Sequence, residues 1–441
     1  MLNEVASSAD DRPTLRSSVR ALPGEDNVLH NQIRRMVMSV LSIEREATSD
    51  DSSSELIREG LQMIGAEGRP ALVFEGRLLQ ESEAAYAQLD EQFATIDYLP
   101  LFREANGKHL IYAVSGRVKP QDRPVWPNVL LLVATLFSVL MLGTEMAINE
   151  INASNPAFAR ELLANFFTEL WRGLPYAISV MLILGAHELG HYFLARRHKI
   201  AVSLPYFIPA PFISPIGTFG AFIQMREPMR NRKVLLDVGA AGPLFGLLFA
   251  IPILLIGLAT SQVGPISPGG LIEGNSLLYA LAKTITFGRF LPDGTVDVFV
   301  NQLAWAGWTG LLVTGLNLIP IGQLDGGHIL YSLIGDRARK LYFPLLGMMV
   351  LLVFITDAWM LWLVLLFLFG RFYAAPLDMI TRLDSRRRWI ALLSIAVFIV
   401  TFVPVPFSMA ADGVLDPILE SASLGPLAIS MVALYTFMRR R

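Results

Sequence analysis

Cysteine is absent from the 441 residues. That removes disulfides, thiolate nucleophiles and thiolate metal ligands together, so any metal must rest on His, Asp or Glu. Charge is also scarce. Asp, Glu, Lys and Arg make up 17% of the chain, against about 25% in soluble domains. Hydrophobic residues reach 53% and the mean hydropathy is +0.48, a balance that belongs to a membrane protein. The net charge of −2 offers no basic excess for a nucleic-acid partner. Histidine is rare enough to enumerate: His30, His109, His187, His191, His198 and His328. An apolar leader is missing as well. Residues 1–26 are polar, carry Glu4, Asp10 and Asp11, and read as a disordered tail rather than a signal or transit peptide.

Composition changes near Trp126. The preceding stretch, 27–118, reads as a small soluble α+β domain. It has an acidic serine-rich linker at 48–54, helices at 56–64 and 81–93, and strands at 71–79, 99–103 and 109–115. Asn106-Gly107 between the last two strands is a strong hairpin signal. Nothing in this domain looks catalytic, and His109 reads as a strand side chain.

Residues 126–441 form the membrane-embedded part, with its core at 173–335. A helix needs roughly 20 apolar residues to cross a bilayer. The expected spans are 128–144, 173–195, 234–260, 298–318, 341–356, 358–377, 389–403 and 421–438. The pair at 341–377 turns at Asp357 and must carry Arg371. With the N-terminal domain on the cytoplasmic side, Arg196, Arg197, Lys199, Arg226, Arg230, Arg232, Lys233, Arg337, Arg339, Lys340 and Arg386–Arg388 all fall in inside loops. The outside loops 261–297 and 404–420 carry few cations, so eight spans with both termini inside are self-consistent.

The decisive stretch is His187-Glu188-Leu189-Gly190-His191, inside an apolar span. Spacing of four puts both imidazoles on one helical face. Together they can hold one Zn²⁺ at about 2.0–2.1 Å, with Glu188 beside them as a base. Such a pattern also arises by chance on exposed helices. Inside a span, however, a charged side chain costs about 2.5–3.5 kcal/mol, which weighs against accident. Catalytic zinc takes three protein ligands and an open position. The third is sought in Asn317-Leu318-Ile319-Pro320-Ile321-Gly322-Gln323-Leu324-Asp325-Gly326-Gly327-His328. Pro320 breaks the span there, and Gly326 and Gly327 allow a sharp turn. Asp325 is favoured as ligand and His328 competes with it.

On these two motifs the chain resembles the site-2 proteases, the intramembrane metalloproteases of type M50. The likeness runs from the second span to about Ile329. It includes Ala240-Ala241-Gly242-Pro243, and Ile216–Phe222 is similar to that family's re-entrant segment. The soluble N-terminal domain, with no PDZ-like insertion, resembles the chloroplast and cyanobacterial branch called ethylene-dependent gravitropism-deficient and yellow-green. The resemblance implies one zinc on His187, His191 and Asp325, with Glu188 as base.

The expectation is therefore a polytopic α-helical membrane protein of about eight spans, with a re-entrant β segment and the soluble α+β domain. In that reading it cuts transmembrane protein substrates within the lipid bilayer. Asn317 is assigned an oxyanion hydrogen bond by analogy with side-chain amides elsewhere. Its competing role is helix packing. Prolines 205, 209, 211 and 215 exclude a span, and 218–225 alternates like a strand. Gly217, Thr218, Phe219, Gly220, Ala221 and Phe222 are thus expected to dock an extended substrate near the metal; a surface loop is the alternative. Asp237 is read as an ion-pair or capping residue, Glu145 as closing the first span, and His198 as interfacial. Gly239, Gly242 and Gly246 are spaced for close helix packing. Rival functions are a metal or ion transporter and an inactive scaffold of the same fold. The ionisable groups cluster instead of stepping across the bilayer, and no inverted repeat is evident, which weighs against transport. A bacterial inner membrane is the expected location, with a chloroplast membrane next. Oligomeric state is not legible.

Overall fold

In the computed structural model, residues 25–48, 71–117, 120, 123–266, 270–293 and 296–409 are described. The helix expected at 56–64, the span expected at 421–438 and most of the tail lie outside them.

The soluble domain begins with α1 (Glu25–Met38) and β1 (Leu41–Thr48), neither of which the sequence reading singled out. β2 (Ala71–Leu78), α2 (Ser82–Ala94), β3 (Tyr98–Ala105) and β4 (Lys108–Ser115) follow, close to the expected positions. The four strands form one antiparallel sheet in the order β1-β2-β4-β3. Asn106 and Gly107 both take positive φ, 53° and 76°, as the two-residue hairpin turn demands. His109 is a strand residue whose Nδ1 accepts from the Leu78 N–H at 3.0 Å. Phe74, Phe93, Leu101, Phe102 and Ile111 are fully buried in the domain's core, which also takes Leu377 from the far end of the chain.

The membrane part is built on α3 (Trp126–Ser154), α4 (Pro156–Ala164), α5 (Leu174–Arg197), α6 (Arg232–Ala259), α7 (Leu277–Phe287) and α8 (Gln302–Asn317). It continues through α9 (Asp325–Ile334), α10 (Tyr342–Ile355), α11 (Met360–Phe369) and α12 (Ser385–Thr401). Among the described residues, four stretches are long and apolar enough to cross a membrane: Trp126–Ser154, Leu170–Arg197, Arg232–Ala259 and Asp325–Ile355. Only 28% of the apolar window of α3 is buried in protein, against 50% for those of α5 and α6. The exposed side of α3, with Val129, Leu130, Val133 and Phe137, needs an apolar solvent, whereas α5 and α6 form the centre.

Several expected spans take a different form. Residues 298–318 are not one helix. β9 (Val296–Phe299) pairs with β7 (Gln262–Pro265) and occupies the start, so α8 begins only at Gln302, capped by Asn301. The helix expected at 358–377 stops at Phe369, and α3 runs ten residues beyond the expected end at Thr144, leaving Glu145 in mid-helix. A further small pair, β8 (Leu271–Glu273) with β10 (Phe407–Met409), closes the end away from the soluble domain.

Residues 204–222 do not cross. β5 (Tyr206–Pro209) and β6 (Thr218–Phe222) form an antiparallel hairpin along α3. At its base the Asn128 amide donates to the carbonyls of Leu204 and Pro205, at 2.9 and 3.1 Å. Near its tip Ser138 Oγ donates to Gly217 O at 2.5 Å, and Tyr176 Oη to Ile216 O at 2.8 Å. Ten helical residues separate Asn128 from Ser138, so the hairpin reaches about 15 Å along α3. One side of it is held against α3 and α5 by these bonds, as non-helical chain at membrane depth requires, while its tip at Phe212 and Ile213 is exposed.

Candidate metal centre

The fourth turn of α5 places His187 one helical turn before His191, both buried. His187 stands ten residues ahead of Arg197, about 15 Å inside the helix end. Asp325 is delivered from another direction. α8 ends at Asn317, before Pro320, and the chain turns at Gly322, which has φ +60°. The sequence reading gave that turn to Gly326 and Gly327. Instead they lie in the first turn of α9, where their missing side chains let the helix press on the backbone of 318–322. A Cβ on Gly326 would meet Leu318 O at 2.0 Å, and one on Gly327 would meet Gly322 O at 2.4 Å.

The result is a tight group. His187 Nε2 lies 3.3 Å from Asp325 Oδ2, His191 Nε2 lies 3.3 Å from Asp325 Oδ1, and the two Nε2 atoms are 3.2 Å apart. His191 Nδ1 lies 2.7 Å from Val238 O. A carbonyl only accepts, so the ring proton sits on Nδ1 and the Nε2 lone pair faces the group. Three candidate ligand atoms thus converge, all within 4.8 Å of one another. Two nitrogens and a carboxylate oxygen are the donor set of a catalytic zinc site, and no other cluster of three candidate ligands occurs among the described residues. His328 lines the same cavity, but that cluster does not include it.

α6 supplies a wall without side chains. A Cβ on Gly242 would stand 2.0 Å from His191 Nε2 and one on Gly246 3.3 Å from His187 Nδ1, while one on Gly239 would stand 3.0 Å from His328 Cβ. These glycines were read as helix-packing residues; they also clear the space that the imidazoles fill. Asp237, one residue before Val238, accepts two hydrogen bonds from Arg387, at 2.8 and 2.7 Å, and lies 3.0 Å from His198 Nε2. This ion pair fastens the ends of α5, α6 and α12 beside the site.

Glu188 lines the cavity with His187, His191 and Asp325, and the backbone N–H of Ile223 donates to its carboxylate. Asn317 Nδ2 lies 3.3 Å from His187 Nε2. The segment expected to dock substrate is divided. Ala221 and Phe222, with Ile223 and Met225, line the cavity, whereas Gly217 packs on Val139 and Leu142 of α3. Thr218 is buried under its own bond to Ile208 O, and Phe219 is exposed. Val238 O, the Ile223 N–H and the empty flank of Gly242 left no signal of their role in the sequence beyond the Ala-Ala-Gly-Pro run.

Comparison with known proteins agrees with this arrangement. Residues 175–356 match the model of peptidase family M50. The match takes in both the His187–His191 helix and Asp325. Among curated proteins it is 33% identical to probable zinc metalloprotease EGY2, chloroplastic, of Arabidopsis thaliana, over 58% of this chain and 47% of that one. It is 29% identical to probable zinc metalloprotease EGY1, chloroplastic, of Oryza sativa subsp. japonica, over 77% of this chain and 64% of the relative. Its identity with EGY1 of Arabidopsis thaliana is 28%, over 67% and 56%. These relatives are all named as chloroplastic zinc metalloproteases of the EGY type. The chain spans roughly half to two thirds of their lengths. No solved structure matches it.

Proposed function

We propose that this chain is an intramembrane zinc endopeptidase of the M50 type that hydrolyses peptide bonds in or beside the transmembrane segments of other membrane proteins. One observation carries the reading: three ligand atoms within 4.8 Å of one another, buried inside apolar helices, open on a cavity that also holds Glu188 and Asn317.

His187, His191 and Asp325 would hold the ion. Bound there, zinc supplies Lewis acidity towards the scissile carbonyl and the attacking water. Glu188 takes a proton from that water as its oxygen attacks the carbonyl carbon, and returns it to the amide nitrogen as the C–N bond breaks. The Asn317 amide donates to the carbonyl oxygen as charge develops there. A substrate helix hides its peptide bonds and must unwind. The segment from Ala221 to Ile223 offers an extended chain for it to pair with, while Gly217 and Thr218 brace the hairpin behind.

The cations near 196–199, 226–233, 337–340 and 386–388 flank the helix ends nearest the soluble domain. That supports an orientation with this domain in the cytoplasm. Eight spans, with the last at 421–438, complete the proposed topology of a multi-pass membrane protein.

Glu188→Gln tests the chemistry on a membrane-spanning model substrate in liposomes. Cleavage should fall about 10²–10⁴-fold, the usual contribution of a general base, while zinc per chain stays the same. Retained cleavage removes Glu188 from the mechanism. Metal transport surviving the substitution favours a transporter.

A further inference from the structure

The soluble domain is joined to the metal cavity by strand-like pairing. The stretch around Asp378, after α11, makes parallel bridges to Phe102 on one side and Asn231 on the other. Phe102 N–H donates to Leu377 O at 2.9 Å and Met379 N–H to Phe102 O at 3.1 Å. On the opposite edge, Leu377 N–H donates to Met229 O at 2.9 Å and Asp378 N–H to Arg230 O at 2.7 Å. The soluble sheet is thereby extended by two short strands, and Met229 on the outermost one lines the metal cavity.

Asp378 is fully buried in this joint. Its Oδ1 accepts from Ser82 Oγ of the soluble domain at 3.0 Å, and from the N–H groups of Ile380 and Thr381 at 2.9 and 3.1 Å. Its Oδ2 accepts from Thr381 Oγ1. Arg103 Nη1 donates to Leu377 O at 2.8 Å, and Lys233, next to the α6 cap, pairs with Glu83 at 2.6 Å. Beyond Met229 the wall continues. Met225 bridges to Val202, and two residues before it Ile223 bonds Glu188.

We propose that Asp378 is a positioning residue that locks the soluble domain to the strand wall of the metal cavity, so that this domain fixes where a substrate lies. The domain is then part of the site and not a separately hanging module. Burial of a carboxylate whose two oxygens both accept hydrogen bonds makes such a joint stiff and sensitive to loss of that acceptor. Disturbance at Asp378 reaches Met229 and the Ala221–Met225 wall and leaves the ligand helices in place. The consequence for cleavage rests on the peptidase reading. The consequence for the wall does not.

The test uses the full chain with Asp378→Ala, Asp378→Asn and Ser82→Ala, by amide hydrogen exchange, zinc content and cleavage kinetics. In Asp378→Ala, exchange should rise at 229–231 and also at 221–225. KM should climb several-fold while kcat and zinc per chain hold, the signature of lost placement. Asp378→Asn keeps an acceptor for Ser82 and should recover most of the loss; Ser82→Ala should show the same pattern in weaker form. Exchange that rises only at 374–381, or a falling kcat at constant KM, overturns the proposal. If Asp378→Ala does not fold, Ser82→Ala decides: unchanged exchange at 229–231 overturns it. A wild-type chain that cleaves nothing, with the exchange pattern as expected, defeats the peptidase reading alone.

Discussion

Two buried polar clusters sit near opposite ends of the helical core, and they differ in one respect. Towards the soluble domain, His187, His191 and Asp325 bring two ring nitrogens and a carboxylate within 3.2–3.3 Å of one another, with no Lys or Arg among them. At the far end, the fully buried Lys283 ammonium lies 3.1 Å from Glu273 Oε1 and 3.0 Å from Asp297 Oδ1. There Tyr279 Oη donates to Glu273 at 2.8 Å, and the Val298 N–H donates to Asp297 at 2.8 Å. Each carboxylate in that second cluster has donors within the protein. Both clusters are largely buried, Asp325 being the most exposed member at 14%, so burial alone does not mark a site; the supply of donors does. A cluster without Lys or Arg asks for a cation, whereas a balanced one only holds its short elements together.

The sharpest way to break the comparison is to remove one member from each. Asp325→Ala should abolish stoichiometric zinc and reduce cleavage to background, with little loss of fold, because no Lys or Arg in the cluster depends on it. Lys283→Met should do the reverse. It strands two buried carboxylates at a cost of about 3–5 kcal/mol, yet whatever chain stays folded should carry its zinc. Thermal unfolding in detergent with metal analysis reads both. A zinc-loaded Asp325→Ala, or a Lys283→Met as stable as the parent, would erase the distinction.

A smaller effect is expected from space rather than ligands. Gly242→Ala drives a methyl to 2.0 Å from His191 Nε2, while Gly246→Ala meets its nearest imidazole atom at 3.3 Å. We expect Gly242→Ala to weaken zinc binding about 10–100-fold, the size of effect seen when support around a ligand is lost. Gly246→Ala should weaken it less, and metal titration ranks the two. Equal affinities would mean that α6 is only a packing partner.

The metal cluster was legible because its chemistry is local on each side. His187 and His191 are four apart on a helix, and Asp325 follows a proline break. The balanced cluster was not, since Glu273, Lys283 and Asp297 sit on β8, α7 and β9, short elements that only tertiary pairing brings together. The hairpin at 206–222 was readable from its prolines and alternation, but which of its residues face the cavity depends on how it lies on α3. β1 lacked a distinctive signal: its alternation is interrupted where the register shifts between Ile43 and Arg45. The joint at Asp378 pairs residues more than 270 positions apart, and no local pattern encodes it. The start of the span expected at 298–318 was misplaced because a short strand, Val296–Phe299, took residues that hydropathy assigns to a helix.

The subtlest difference between the clusters is in pH. Burial holds the Asp297 carboxyl above its ordinary value, against the pull of Lys283 and with a further push from Glu273. The other groups facing it are the Tyr279 hydroxyl, by way of Glu273, and the Val298 N–H. A raised carboxyl pKa means that the folded chain binds a proton the unfolded chain has released. Stability from this group is then full below the ordinary carboxylate value and is lost as pH rises through the folded one. Asp297→Asn keeps an acceptor for Lys283 and cannot titrate. Its unfolding temperature should therefore track the parent's on the acid side and lose the parent's decline over that window. Parallel curves for the two proteins would show that Lys283 holds Asp297 ionised throughout, making the second cluster a plain ion pair with no proton to exchange.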